Sequence, residues 1–336
     1  MGFIDSIKAQ AKVRKKTIVL PEVDDVRTLE AAVKILSEDF ANLILLGDKE
    51  DICAKAQAQL SHLPTEVLKK ATFFTLKDTA LLDELIALLV KLRAHKGVDN
   101  AKAKELLLND SLYFGSALVK AGKADGMVAG ATRATSDVLR AGLQIVGTAP
   151  DSKLVSSFFV MVIPDCDYGL NGTLVFSDCG LCQNPNAEEL AQIALSSAKS
   201  FESIMQSEPF VAMLSHSTYG SAKHPDVDKV VEATKIAKQL APHLKIDGEL
   251  QLDAAIVPSV GASKAKGSNV AGKANVLIFP DLDAGNIGYK IVQRFAKAEA
   301  YGPITQGMDA PINDLSRGCS ADDIVGVVAL SALQAK

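Results

Sequence analysis

The densest run of chemically capable side chains lies near the C-terminus, at Pro311-Ile312-Asn313-Asp314-Leu315-Ser316-Arg317-Gly318-Cys319-Ser320-Ala321-Asp322-Asp323. A hydroxyl at Ser316 and a guanidinium at Arg317 precede a glycine, and the Asp323 carboxylate stands at the mouth of the apolar stretch Ile324 to Leu333, which reads as a helix. Such a trio can orient a substrate, polarise a carbonyl and take up a proton. The same residues have a plain structural reading. Ser320 as N-cap with Asp323 three positions on resembles a capping box with Asp in place of Glu, and Asn313-Asp314 reads as a turn. The pattern alone leaves both readings open.

A second constellation is Gly126-Met127-Val128-Ala129-Gly130-Ala131-Thr132, where an apolar strand runs into small and hydroxyl residues before Thr135-Ser136-Asp137 opens a helix carrying Arg140. Backbone N–H groups at a helix start attract anions, and small residues let an anion approach, so Gly130, Thr132 and Arg140 are candidate phosphate ligands. An ordinary strand-to-helix turn has the same pattern. Cys179-Gly180-Leu181-Cys182 offers two thiols, whereas a structural zinc needs about four ligands. With His216 and His224 outside any matching spacing, the pair reads as loop cysteines and the chain as metal-free. The five histidines are scattered. There is no G-x-x-x-x-G-K-[ST] and no G-x-G-x-x-G after a strand, so nucleotide binding at a standard loop is not supported.

These groups must be carried by elements. Thr17 to Leu20, Leu43 to Leu46, Thr72 to Thr75 and Met127 to Ala129 are strand-length apolar runs, and Arg27 to Leu36, Ala80 to Lys96 and Ala101 to Lys120 between them have helical spacing. That alternation predicts a parallel sheet covered on both faces. After Thr148-Ala149-Pro150 the rhythm restarts, with strands expected at Phe158 to Ile163, Thr173 to Phe176, Val211 to Leu214, Ala254 to Val257 and Val276 to Phe279. Helices are expected at Ala187 to Phe201 and Val227 to Leu240. The polar stretch Gly261 to Asn269 reads as a mobile flap, and Pro303 to Lys336 could join either unit.

At 336 residues the chain is long enough for two domains, and with 48% apolar and 23% charged residues it has a globular composition. Acidic side chains exceed basic ones by 40 to 36, leaving no electrostatic footprint for nucleic acid. No apolar run approaches the ~20 residues that cross a bilayer. The N-terminus lacks the pattern of a secretory signal. Gly2 with Ser6 fits the permissive myristoylation pattern, but the stretch reads as an ordinary first helix. Five sparse cysteines point to a reducing cytoplasm.

Several blocks carry a resemblance: Leu20-Pro21-Glu22 with Arg27-Thr28-Leu29, Ala124-Asp125-Gly126, Leu139-Arg140, Phe176-Ser177-Asp178-Cys179, Asp247 to Ala255, Ile278-Phe279-Pro280-Asp281-Leu282, and Asn313-Asp314-Leu315-Ser316-Arg317-Gly318. In order and over nearly the whole chain, they resemble the phosphate acetyltransferase (phosphotransacetylase) family. The resemblance implies reversible acetyl transfer from acetyl-CoA to phosphate, giving acetyl phosphate and coenzyme A, without a metal or organic cofactor. It implies two three-layer α/β/α domains with a cleft between them, similar in plan to isocitrate and isopropylmalate dehydrogenases, and a homodimer. The first domain would be 1–148 plus 301–336 and the second 149–300. By position, Asp323 corresponds to the base for the thiol, Ser316 to a hydroxyl near the reacting centre, and Arg317 to the arginine at the acyl carbonyl. Arg140 and Arg93 match arginines for phosphate or coenzyme A.

There are departures from the family's pattern: Val23 for Gly, Ala129 for Ser, Ala141 for Pro and Asp283 for Asn. Losing the hydroxyl at 129 is expected to weaken one hydrogen bond to phosphate, but none of the four touches Ser316, Arg317 or Asp323. Phosphate butyryltransferase shares the implied fold and reaction with a longer acyl group. A metal-dependent β-decarboxylating dehydrogenase would need a carboxylate cluster and a nucleotide loop that the sequence lacks. A non-catalytic acetyl-CoA-binding module would not need Ser316, Arg317 and Asp323.

Overall fold

The computed structural model describes residues 2–75, 78–150 and 152–336. The chain divides into two compact units, Met1–Ala149 with Met308–Lys336, and Pro150–Gly307. In chain order the strands are β1 (Thr17–Leu20), β2 (Asn42–Leu46), β3 (Thr72–Phe74) and β4 (Gly126–Ala129) in the first unit. The second unit holds β5 (Ser156–Val162), β6 (Thr173–Ser177), β7 (Phe210–Leu214), β8 (Lys245–Leu250), β9 (Val276–Ile278) and β10 (Glu299–Gln306), and β11 (Ile312–Asp314) returns to the first. Among the described residues, no helix is long and apolar enough to cross a membrane.

The first sheet has the order β11-β4-β1-β2-β3, with every pairing parallel. The chain steps outward from β1 to β3, then returns to β4 on the other side of β1. In open α/β sheets such a reversal is where ligands bind, beyond the carboxyl ends of the strands. One face of the sheet contributes Val19, Ile44, Met127, Ala129 and Ile312 to a core shared with the helices Thr79–Arg93, Asn100–Asn109, Ser111–Lys120 and Thr135–Ile145. The pleat turns the intervening Ile18, Leu20, Leu43, Leu45 and Val128 to the other face, where they too are buried. There the helices Val26–Glu38 and Ala321–Gln334 pack on each other and on the sheet. Val26–Glu38 buries Leu29, Ala32, Val33 and Leu36, a stripe at helical spacing. Ala321–Gln334 is apolar nearly all round and is buried from Ile324 to Leu333. The stretch Ala101 to Lys120 forms two helices because the Asp110 carboxylate accepts the Leu112 amide and caps a new start.

The second sheet is mixed, in the order β10-β5-β6-β9-β7-β8, with β10 and β6 antiparallel to β5 and the remaining pairs parallel. Phe159, Met161, Phe176, Ala212, Leu214 and Leu277 form its core with neighbouring helices.

Several expectations differ from what is found. Ala254 to Val257 is not a strand: the helix Leu252–Ile256 lies there, and the strand is β8, which ends two residues earlier. The polar Asp247 and Glu249 hide β8 in the sequence, yet both are buried and paired, Asp247 with Tyr219 Oη (2.6 Å) and Lys238 Nζ (2.7 Å), Glu249 with Ser217 Oγ (2.9 Å) and the Gly220 amide (2.7 Å). The supposed flap is anchored. Residues 261–264 belong to the helix Pro258–Lys264, and the Ser268 hydroxyl donates to Asp247 while accepting the Val270 and Ala271 amides. Asn313 and Asp314 end β11 and do not form a turn. The return to the first unit falls after Gly307, not at 301, because β10 pairs with β5 through Gln306.

Candidate active site

Three adjacent parallel strands deliver polar groups to one edge of the first sheet. Glu22 lies two residues beyond β1, Gly130 directly follows β4, and Asp314 ends β11. The Glu22 carboxylate, 7% exposed, accepts the amides of Gly130 (2.7 Å), Ala131 (2.9 Å), Thr132 (3.0 Å) and Arg133 (3.1 Å), and the Thr132 hydroxyl (2.7 Å). The turn expected to cradle phosphate is therefore filled by an internal anion, and Gly130 and Thr132 hold Glu22 in place of a ligand. Gly130 has φ +110°, and a Cβ there would collide with Asp314 Oδ1 and the Leu315 backbone, so glycine is required.

Asp314 is 2% exposed. Its Oδ2 accepts the Thr135 hydroxyl at 2.6 Å, whereas Oδ1 has no hydrogen bond of good geometry. Burial pushes its pKa up to about 6, against the Thr135 hydroxyl and the nearby Leu315 amide, and the Glu22 charge adds to the rise.

The loop after β11 exposes Ser316 and Arg317. Arg27, near the start of Val26–Glu38, fixes its backbone: Nη1 donates to the carbonyls of Arg317 and Cys319, both at 2.8 Å, and Nη2 to the Ala131 carbonyl at 2.9 Å. Asp25 holds the guanidinium in turn, at 2.7 and 2.9 Å. One side chain thus ties the loop after β4 to the loop after β11. Asp323 is exposed and completes the expected capping box. Its Oδ2 accepts the Ser320 amide (2.8 Å) and hydroxyl (2.9 Å), while the Asp323 amide donates to Ser320 Oγ. These bonds to the carboxylate fall on Oδ2 and none uses Oδ1, so capping and proton transfer are compatible.

Arg140 lies on Thr135–Ile145, is 54% exposed at its side chain, and pairs with Asp137 one turn earlier. Arg93 ends Thr79–Arg93. The two come from separate helices to one neighbourhood, that of Tyr113: burial raises the phenol's pKa, and the charges of Arg140 and Arg93 oppose that rise. Tyr113 Oη donates to Gln144 Oε1 at 2.8 Å. Arg133, bound to Asp110 at 3.1 Å, adds a third guanidinium beside this helix. Glu22, Arg27, Thr135, Asp314 and Tyr113 were not singled out from sequence as site residues. Glu22, Arg27 and Asp314 sit in the blocks that carry the family resemblance, which is the signal that could have flagged them.

The Cys179 and Cys182 segment wraps a carboxylate. Asp178, buried, accepts the Ser157 amide and hydroxyl at 2.9 Å each and the amides of Gly180 (2.6 Å), Leu181 (2.9 Å) and Cys182 (3.3 Å). Burial pushes the Cys182 thiol up to about 12 and the Cys179 thiol well above its ordinary value, so both are held as thiols. Among the described residues, no group of three or more His, Cys, Asp or Glu is placed to hold a metal ion.

A parallel sheet that gathers a hydroxyl, a carboxylate and guanidinium groups beyond the ends of its strands has the layout of an α/β enzyme acting on a small anionic ligand. Residues 2–332 match the phosphate acetyl/butaryl transferase family, and the chain belongs to it. It is 54% identical over 336 residues to a phosphate acetyltransferase of Acetivibrio thermocellus, covering 100% of this chain and 99% of the relative. A solved phosphotransacetylase from Staphylococcus aureus superposes with a TM-score of 0.90 at 41% identity, covering 99% of this chain and 98% of that one. A phosphotransacetylase from Streptococcus pyogenes gives a TM-score of 0.90 at 40% identity, with 99% of each chain covered.

Proposed function

We propose that this enzyme moves an acetyl group reversibly between coenzyme A and inorganic phosphate, acetyl-CoA plus phosphate giving coenzyme A plus acetyl phosphate. The observation that carries the reading is the run Asn313 to Gly318, which sets Ser316 and Arg317 in the loop beyond β11 and next to the helix start bearing Asp323. Full-length similarity to phosphate acetyltransferases supports the same chemistry.

A thiol of pKa about 8.5 is mostly protonated at neutral pH, and thiolate is the nucleophile. In the direction of acetyl-CoA formation, Asp323 takes the thiol proton through Oδ1, Ser316 orients the reacting groups, and the sulfur attacks the acetyl carbon. Arg317 stabilises the oxygen as it gains charge. The bond from the acetyl carbon to the phosphate oxygen then breaks, and phosphate departs with that electron pair. Arg140, with Arg93, holds its oxygens, since planar guanidinium groups bind phosphate bidentately. The reading includes no metal or organic cofactor. Homodimeric assembly and a cytoplasmic location belong to it as well.

Phosphate-dependent release of coenzyme A, measured with acetyl-CoA and butyryl-CoA side by side, tests the reading. The acetyl substrate should be preferred, with each methylene worth ~1 to 3 kcal/mol in a fitted pocket. Faster turnover of butyryl-CoA, or turnover without phosphate, would overturn it.

A further inference from the structure

Among the described residues, Asp314 Oδ1 is the one buried carboxylate oxygen without a hydrogen bond of good geometry. Burying an ionisable group without satisfying it is costly, and an apolar residue at the end of β11 would avoid that cost. What Asp314 contacts accounts for its presence. It lies two residues before Ser316, and its other oxygen binds the hydroxyl of Thr135, the first residue of the helix that carries Arg140. That helix start has no capping side chain of its own, since its N-cap is Ala134. The neighbouring Asn313 turns to the opposite face of the sheet, as strand alternation requires, and donates to Ser331 Oγ (2.7 Å) and Gln334 Oε1 (2.8 Å) of Ala321–Gln334.

We propose that Asp314 is a positioning residue for acetyl transfer, holding the Ser316 and Arg317 loop in register with the Arg140 helix through its bond to Thr135. This rests on the function proposed above. The groups that face the carboxyl are Glu22 from the loop after β1, Gly130 from the loop after β4, Thr135 from the helix, and Leu315 beside it in the chain; Glu22 is the charged one. The helix Ala321–Gln334 lies on the other face and meets Asn313 instead. With the Asp314 carboxyl ionising at about 6, acid converts a charge-assisted hydrogen bond to Thr135 into a weaker neutral one. The register should therefore loosen as pH falls through that value, and kcat should acquire an acid limb there.

The test uses the full-length enzyme in the direction of acetyl-CoA formation, with kcat, both KM values and melting temperature recorded across the pH range for Asp314→Asn, Thr135→Val and Thr135→Ser. Since a misplacement of ~1 Å costs up to about 10²-fold, Asp314→Asn and Thr135→Val should each lower kcat by roughly 10- to 100-fold with KM values changed by less than about threefold. Thr135→Ser, which restores the hydroxyl, should recover most of that loss. Asp314→Asn should also lose the ionisation on the acid side while melting no lower than the parent. Wild-type kcat in Asp314→Asn, persistence of its acid limb, or equal loss in Thr135→Ser and Thr135→Val would overturn the proposal. No acetyl transfer by the parent enzyme would overturn the proposed function together with it, so the two failures are distinguishable.

Discussion

Glu22 occupies the turn beginning at Gly130 as a bound anion would, taking four consecutive amides and a hydroxyl at 2.7 to 3.1 Å. The loop after β1 is thereby locked to the loop after β4. Glu22→Gln keeps the shape but replaces one acceptor oxygen by an NH2 that faces donors. Losing about two charge-assisted bonds at roughly 1.5 to 3 kcal/mol each should lower the free energy of unfolding by ~3 to 6 kcal/mol in urea titrations. An unchanged midpoint and slope would mean the turn does not need its anion.

Asp323→Asn separates cap from base. Its bonds to Ser320 are a capping box at an exposed helix end, so the stability lost should be about 1 kcal/mol or less. Loss of a positioned base should lower kcat by ~10²- to 10⁴-fold. Melting and steady-state kinetics on one preparation decide the matter: a lower melting temperature with near-normal kcat would leave only the cap.

Arg140→Lys retains charge and loses the bidentate fork. The apparent KM for phosphate should rise roughly tenfold, equivalent to ~1.4 kcal/mol, because Arg140 is exposed and, among the described residues, its ion pair is with Asp137, one turn earlier on its own helix. A raised KM for coenzyme A with phosphate unaffected would reassign the residue.

The buried Asp314 makes stability depend on pH in the direction opposite to an ordinary paired carboxylate. With a folded pKa of about 6 against an ordinary value of 3.8, the folded state binds the proton more tightly than the unfolded one. Stability therefore falls as pH rises between these two values, and the full cost, on the order of 3 kcal/mol, is present above the folded pKa. Asp314→Asn removes that cost, so differential scanning calorimetry should find the variant more stable than the parent at neutral pH and no more stable below the unfolded pKa. A variant less stable at neutral pH would contradict it.

Cys179→Ser with Cys182→Ser should retain acetyl transfer, and prolonged chelation should leave the parent's rate unchanged. Loss of activity in either experiment, with folding confirmed by circular dichroism, would bring a thiol or metal step back into the reaction.

Much of the first sheet is legible in the sequence because parallel strands buried on both faces appear as short apolar runs: Thr17 to Leu20 is β1, residue for residue. The strands that escape notice are those whose polar residues are satisfied by distant partners. β8 carries Asp247 and Glu249, β11 is three residues long with Asn and Asp in it, and β10 contains Gly302 and Pro303 where its register shifts at the sheet edge. The site divides in the same way. Ser316, Arg317 and Asp323 can be picked out by type and local spacing, which leave a plain capping reading equally open. Glu22 finds Gly130 across 108 positions, and Arg27 reaches the Arg317 carbonyl across 290. No local pattern encodes such distances, so an empty phosphate cradle and one filled by the protein's own carboxylate look alike in sequence.

The return of β11 to the first sheet also sets a schedule for synthesis. The edge of β4 that will pair with β11 appears at Ala129, and its partner follows only about 185 residues later. At ribosomal speeds of about 5 to 20 residues per second, that edge and the apolar face awaiting Ala321–Gln334 stay uncovered for roughly 10 to 40 s. Meanwhile every strand of the second sheet has been made. The nascent chain thus carries an unfinished half, with an unpaired strand edge that invites wrong partners. Ser316, Arg317 and Asp323 arrive with the very segment that closes it, so under the proposed mechanism the polypeptide would acquire its chemistry at the moment it ceases to be a hazard to its neighbours.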